Sequence, residues 1–322
     1  MKLMKTIIIL GSNYSGSSAI FDYLSGRNDI LDPFKSKELF IVESPYGILP
    51  FMSTVYDAIY PPVATEALDK LEWMLNRAAY PYRGFTCGYD LNNAIPKYQE
   101  KVQKYIESIT EVHYTFRNQH FMLIKPWWKC LITSIAELFS LSNNFPQQRL
   151  PVSKEQFLAA TKEFLHSLSE EIIQDNPDAT GMVIEQAGSY WCPEKSLEIF
   201  NNAYVIKVSR DPRDQYISFR VSTGMKDVKT FVHWYKNIMA YDSIQTDRQD
   251  PHIKRIRFED FVRDHECERE QLCSFLKIDP TVQSSYQPER SVKRIGKYKN
   301  KNLLSTTEIK FIEDELEDYI VE

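Results

Sequence analysis

Six residues into the chain, the apolar run Thr6-Ile-Ile-Ile-Leu10 leads directly into Gly11-Ser-Asn-Tyr-Ser-Gly-Ser-Ser18. A short, β-branched apolar run closed by glycine predicts a strand buried on both faces of a parallel sheet. The residues after the loop, Ser18 to Leu24, read as a helix. A strand, a glycine- and serine-rich loop and a helix in that order make an anion cradle. Backbone N–H groups of the loop and of the helix N-terminus point at the ligand, so no lysine is needed. Glycine allows close approach, and small hydroxyls add donors. Ser12, Asn13, Tyr14, Ser15, Gly16, Ser17 and Ser18 are therefore candidate phosphate-binding residues. The plainer alternative is a Gly/Ser turn in an α/β protein that binds no nucleotide.

The loop has Walker A-like glycine spacing, but Ser17 stands at the lysine position, which disfavours a standard NTPase. A second anchor lies downstream. Ala203 to Val208 predicts another buried strand, followed by Ser209-Arg210-Asp-Pro-Arg213-Asp-Gln-Tyr-Ile-Ser218-Phe219. Pro212 suits the first helical turn and Asp211 suits its cap. Arg210 stands at the carboxyl end of a strand, where ligands bind in open α/β sheets. Ser218 falls about two turns into the helix, on the side from which Arg210 projects. A guanidinium fork with a hydroxyl is a good receptor for a phosphate monoester. Asp214 is expected to orient Arg210 or Arg213.

Further strands are expected at Gly181–Ile184 and Ile253–Arg257, and the strand–helix alternation predicts an α/β domain with a mostly parallel sheet. From about residue 54 to 175 the pattern reads as helical, notably Lys97 to Ile109 and Ser153 to Ile173. This region is expected to be an insertion within one domain spanning 1–322; an independent domain is the alternative. The net charge of -5 argues against a broad nucleic-acid surface. Five scattered cysteines without a CxxC pair suit reduced thiols. Lys2 and Lys5 precede an apolar run too short for an export signal or a membrane span, so a cytoplasmic protein is expected. The six histidines, His113 and His120 among them, show no metal-ligand spacing.

Taken together, the Gly11–Ser18 loop and the Val208–Phe219 segment resemble the two nucleotide-binding signatures of the sulfotransferases that use PAPS (3′-phosphoadenosine 5′-phosphosulfate). The resemblance implies a P-loop-type three-layer domain. It implies that the first loop binds the 5′-phosphosulfate end and that Arg210 and Ser218 bind the 3′-phosphate. Ile256-Arg-Phe-Glu-Asp-Phe261 is similar to the family's strand-and-acidic segment. Ser291-Val-Lys-Arg-Ile-Gly-Lys-Tyr-Lys299 resembles its C-terminal basic loop, which implies that Arg294, Gly296 and Lys297 close over the nucleotide. The likeness covers roughly residues 5–45 and 180–320 and leans toward the bacterial and Golgi-type branches. No metal is implied.

Two positions depart from the family pattern. Tyr14 stands where a Lys or Arg usually precedes the Ser-Gly of the loop, and a phenol stabilises developing negative charge less well than a cation. The histidine base of the cytosolic branch has no match; Ala187 falls at its place. Lys37-Glu-Leu-Phe40 resembles the segment that supplies a glutamate base in the other branches. Glu38 is thus the candidate base, with Glu185 as second choice, and Lys37 is the candidate replacement cation. Solvated loop charges are the alternative. Trp127, Trp128 and Trp191 are candidates for an acceptor pocket or for core packing. The expected reaction is sulfuryl transfer to a hydroxyl of a glycan or small metabolite. Its rivals are a P-loop nucleotide kinase and a relative that binds PAP, the desulfated product, without turnover.

Overall fold

The computed structural model describes residues 4–58, 63–82, 88–115, 126–138, 147–245 and 250–320. Its strands are β1 (Lys5–Gly11), β2 (Ile30–Leu31), β3 (Thr110–Thr115), β4 (Gln147–Pro151), β5 (Gly181–Glu185), β6 (Ala203–Ser209) and β7 (Ile253–Arg257). Five of them form one parallel sheet in the order β2-β5-β1-β6-β7. The continuous apolar runs occupy its middle, because a strand covered on both faces has no polar side. Along β1 the burial alternates between faces, as the two-residue period requires. Ile8 and Leu10 pack into one apolar cluster, whereas Ile7 and Ile9 pack into the other.

The larger cluster joins the sheet to the middle of the chain. Ile8, Leu10 and Ile184 share it with Leu68, Leu71 and Leu75 from the Ala64–Ala78 helix. Tyr98 and Val102 from Tyr98–Ser108 and Phe157 from Lys154–Ser167 also belong to it. The middle is not uniformly helical, however. β3 and β4 pair antiparallel within it. The helix expected from Ser153 to Ile173 is two helices, Lys154–Ser167 and Glu170–Asp175. The first of them starts with a capping box between Ser153 and Gln156.

The register sets the functional edge. Ile9 lies beside Glu185, and Gly11 beside Val208, so β5, β1 and β6 end together. The loop after β1, Glu185 and Arg210 therefore meet at the carboxyl edge of the sheet. Among the described residues no helix is long and apolar enough to cross a membrane, and no His/Cys/Asp/Glu group could hold a metal.

Candidate active site

The loop after β1 folds with Tyr14 at φ 60° and Gly16 at φ 85°, on either side of Ser15. Such alternation turns backbone N–H groups toward one concavity. A Cβ on Gly16 would lie 2.5 Å from the Phe258 ring, so glycine is required there by space as well as by φ. The helix Ser17–Ser25 opens directly from this turn. Two glutamines fix the loop from below. Gln215 Nε2 donates to the carbonyls of Ser12 (2.8 Å) and Asn13 (2.5 Å). Gln186 exchanges two hydrogen bonds with the Gly11 backbone, at 3.3 and 3.4 Å.

Arg210 leaves the end of β6 and is 6% exposed. Its Nη1 donates to Ser218 Oγ (3.2 Å) and to the Tyr14 carbonyl (3.3 Å), and its Nη2 donates to the Arg294 carbonyl (2.7 Å). The guanidinium also lies over the Phe258 ring, 5.2 Å from its centroid. The loop, the second anchor and the C-terminal basic segment thus converge on one side chain. Burial lowers the Arg210 pKa, which marks a charge that its surroundings only partly compensate. Arg210 Nε and Ser15 Oγ are buried without a hydrogen-bond partner.

These groups border a cavity of about 720 Å³. Its lining includes Asn13, Ser17, Ser18, Arg210, Ser218, Arg294 and Lys297, together with Glu38, Phe40, Glu43, Gln186, Tyr190 and Trp191. The Glu38 segment is positioned by β5: the Leu39 N–H donates to the Glu185 carbonyl at 2.9 Å. Glu185 itself is buried and accepts from Ser17 Oγ (3.0 Å) and Ser18 Oγ (3.2 Å). Burial, with the negative charge of Glu185 nearby, pushes the Glu38 carboxyl up to about 7. Burial and Glu38 do the same to Glu43, also to about 7.

The model of the sulfotransferase family matches residues 7–282. The chain belongs to this family. Similar solved structures include the sulfotransferase domain from the curacin biosynthetic pathway, at 16% identity over 100% of both chains with a TM-score of 0.40. The sulfotransferase domain from the Synechococcus PCC 7002 olefin synthase is 15% identical over 99% of this chain and 95% of that one, with a TM-score of 0.42. A sulfotransferase from Alicyclobacillus acidocaldarius is 13% identical over 91% and 94%, with a TM-score of 0.37. Comparison with curated proteins finds no significant match.

Within this sulfotransferase most residues singled out from sequence lie at the cavity. Ser12 and Ser15 are buried members of the loop that do not line the cavity, and the Gly296 N–H is held by Asp214. Lys37 does not reach the cavity. Its Nζ lies 3.4 Å from Asp90 Oδ2 and 3.5 Å from the Tyr89 carbonyl, because the neighbouring Glu38 takes the inward side. Asp214 does not bind Arg213, which is held by Asp211 and Glu313. Instead Asp214 binds the backbone of Gly296 and Tyr298. Trp191 lines the cavity; Trp127 and Trp128 are exposed on a separate helix, and His113 is exposed elsewhere. His120 and Cys87 fall outside the described residues. Gln186, Gln215, Glu43 and Tyr190 were not singled out as site residues. Gln215 lies inside the second signature and Gln186 directly after β5, which is the only signal the sequence carries for either.

Proposed function

We propose that this sulfotransferase moves a sulfuryl group from PAPS to an acceptor hydroxyl on a small molecule or glycan. The observation that carries the reading is the meeting of the glycine-serine loop, Arg210 with Ser218, and an unpaired carboxylate at one cavity. The Arg210 guanidinium, at the cavity and under-compensated, fits a polyanionic nucleotide. Ser12 to Ser18 would hold its 5′-phosphosulfate end, and Arg210 with Ser218 its 3′-phosphate. Arg294, Gly296 and Lys297 would cover it.

When bound, PAPS supplies a sulfuryl group on a phosphate leaving group. Glu38 then takes the proton of the acceptor hydroxyl. A carboxyl poised near 7 is matched to that task at neutral pH. Glu185 is the poorer base, because two serine hydroxyls already occupy its carboxylate. That negative charge serves to raise the Glu38 pKa. Arg210, Arg294 and Lys297 are the cations bordering the cavity, so the cationic duty does not fall on Tyr14 or Lys37.

The test is turnover of sulfur-labelled PAPS beside a nucleotide stability series. PAP should raise the melting temperature by mass action, and ATP should do so far less. Equal shifts would favour a kinase-like site. PAP binding with no transfer to any acceptor would favour a relative that has lost activity.

A further inference from the structure

The acceptor side of the cavity holds more negative charge than the reaction needs. One base suffices to deprotonate a hydroxyl. Yet Glu38 and Glu43 both border the cavity, and among the described residues neither side chain has a hydrogen-bond or ion-pair partner. The nearest cation in sequence, Lys37, is turned to Asp90.

This placement is built into the segment rather than left to a mobile chain. Leu39, Ile41 and Val42 are buried. The Ser44 N–H donates to the Phe40 carbonyl at 2.8 Å, and the Ile48 and Leu49 N–H groups donate to Ile41 and Val42. With those three side chains anchored inside, Phe40 and Glu43 are left to face the cavity, which Trp191 also lines.

An unpaired, half-buried carboxylate beside another is costly, as the elevated pKa values of both record. A neutral acceptor would enclose Glu43 further and could at most donate a hydroxyl to it, leaving its charge uncompensated. A cationic acceptor removes the cost, because an ammonium pairs with a carboxylate and also rests favourably on aromatic faces. The cavity lining holds both kinds of group: the cations Arg210, Arg294 and Lys297, and the carboxylates Glu38 and Glu43 with the Phe40 and Trp191 rings.

We propose that the acceptor is an amino alcohol or amino sugar, whose ammonium group is bound by Glu43 against the Phe40 and Trp191 rings while its hydroxyl faces Glu38. This rests on the sulfuryl-transfer reading above. In the reaction the hydroxyl proton passes to Glu38, the oxygen–sulfur bond to the acceptor forms, and the bond between sulfur and the donor phosphate oxygen breaks. PAP leaves with the electron pair, and the ammonium stays protonated and unreacted.

The experiment is calorimetry on the PAP-saturated protein with matched probes: 4-aminocyclohexanol against 1,4-cyclohexanediol, and glucosamine against glucose. The amines should bind about ten-fold tighter than their neutral partners, the size of one charge-assisted contact. Glu43→Gln should reduce that preference to about two-fold or less while PAP affinity is retained. Equal binding, absent binding of the amines, or a preference that survives Glu43→Gln would overturn the proposal. Failure of PAP itself to bind would instead overturn the donor reading, and is seen before any acceptor is added.

Discussion

Asp214 holds Gly296: its Oδ2 accepts the Gly296 N–H at 2.6 Å, while Oδ1 accepts the Tyr298 N–H at 3.1 Å. One buried carboxylate in the first turn of the Pro212–Thr223 helix therefore ties down the C-terminal basic segment. Because Arg210 also donates to the Arg294 carbonyl, both sides of that segment are fastened to the second anchor. Asp214→Ala should free the Gly296 and Tyr298 amides, and hydrogen exchange at residues 294–299 should accelerate. PAP affinity should fall by about 1–3 kcal/mol, the range for a lost charge-assisted hydrogen bond with its structural consequences. Unchanged exchange would show that the segment is held by something else.

Glu38 should govern the chemical step. Glu38→Gln keeps the shape and removes the base, so transfer should drop about 10²–10⁴-fold. PAP affinity should stay within a few-fold. In the unmutated enzyme the rate should rise with pH through about 7, as burial and Glu185 set the Glu38 pKa there. A variant with near-normal transfer would assign the proton to another group, and Glu185→Gln would then be the informative comparison.

The carboxylate wall also makes a stability prediction. Glu38 and Glu43 both move from an ordinary 4.5 to about 7 on folding. The native state therefore binds protons that the unfolded state has already released. Stability from these groups is fully present below about 4.5 and is lost as pH rises through about 7. Glu43→Gln removes one of the two charges and relieves its repulsion with Glu38. It should melt above the unmutated protein at pH about 8 and gain little at about 4.5, since protonation has by then removed the penalty. Thermal scans at the two pH values decide it, and a gain of equal size at both would contradict the burial of Glu43.

What sequence could show depended on whether a feature was local. Thr6–Leu10 and Ala203–Val208 were legible as strands because burial on both faces leaves an uninterrupted apolar run. The cap at Asp211 was legible for the same reason: its carboxylate accepts from Arg213 N–H two residues away. β3 and β4 were missed because Thr-Glu-Val-His-Tyr-Thr alternates over only two apolar residues and Gln-Gln-Arg-Leu-Pro does not alternate, too little to stand out from the helical pattern around them. The break after Ser167 was missed because its cause is polar. Ser167 and Ser169 hydroxyls donate to the Phe164 and His166 carbonyls, and such local bonds compete with helix continuation. Asp214 was placed beside Arg210, whose charge it supports, but its hydrogen bonds to Gly296 and Tyr298 went unread, since Gly296 lies 82 residues away and no spacing rule reaches it. Glu43 had no signal at all. It becomes a site residue only because the buried Leu39, Ile41 and Val42 turn its segment toward β5.

The most direct measurement concerns Arg210, on which loop, helix and C-terminal segment converge. PAP carries a 3′-phosphate that adenosine 5′-phosphosulfate lacks, the sulfo group being their other difference, so calorimetric titration of each ligand against both the unmutated protein and the Arg210→Ala variant tests that contact. PAP affinity should fall by about 2–4 kcal/mol, as expected for a charge-assisted contact to a partly buried phosphate. Adenosine 5′-phosphosulfate should lose no more than a few-fold. Equal losses for the two ligands, or an unmutated protein that binds neither, would contradict the assignment of this cavity to a 3′-phosphorylated sulfuryl donor.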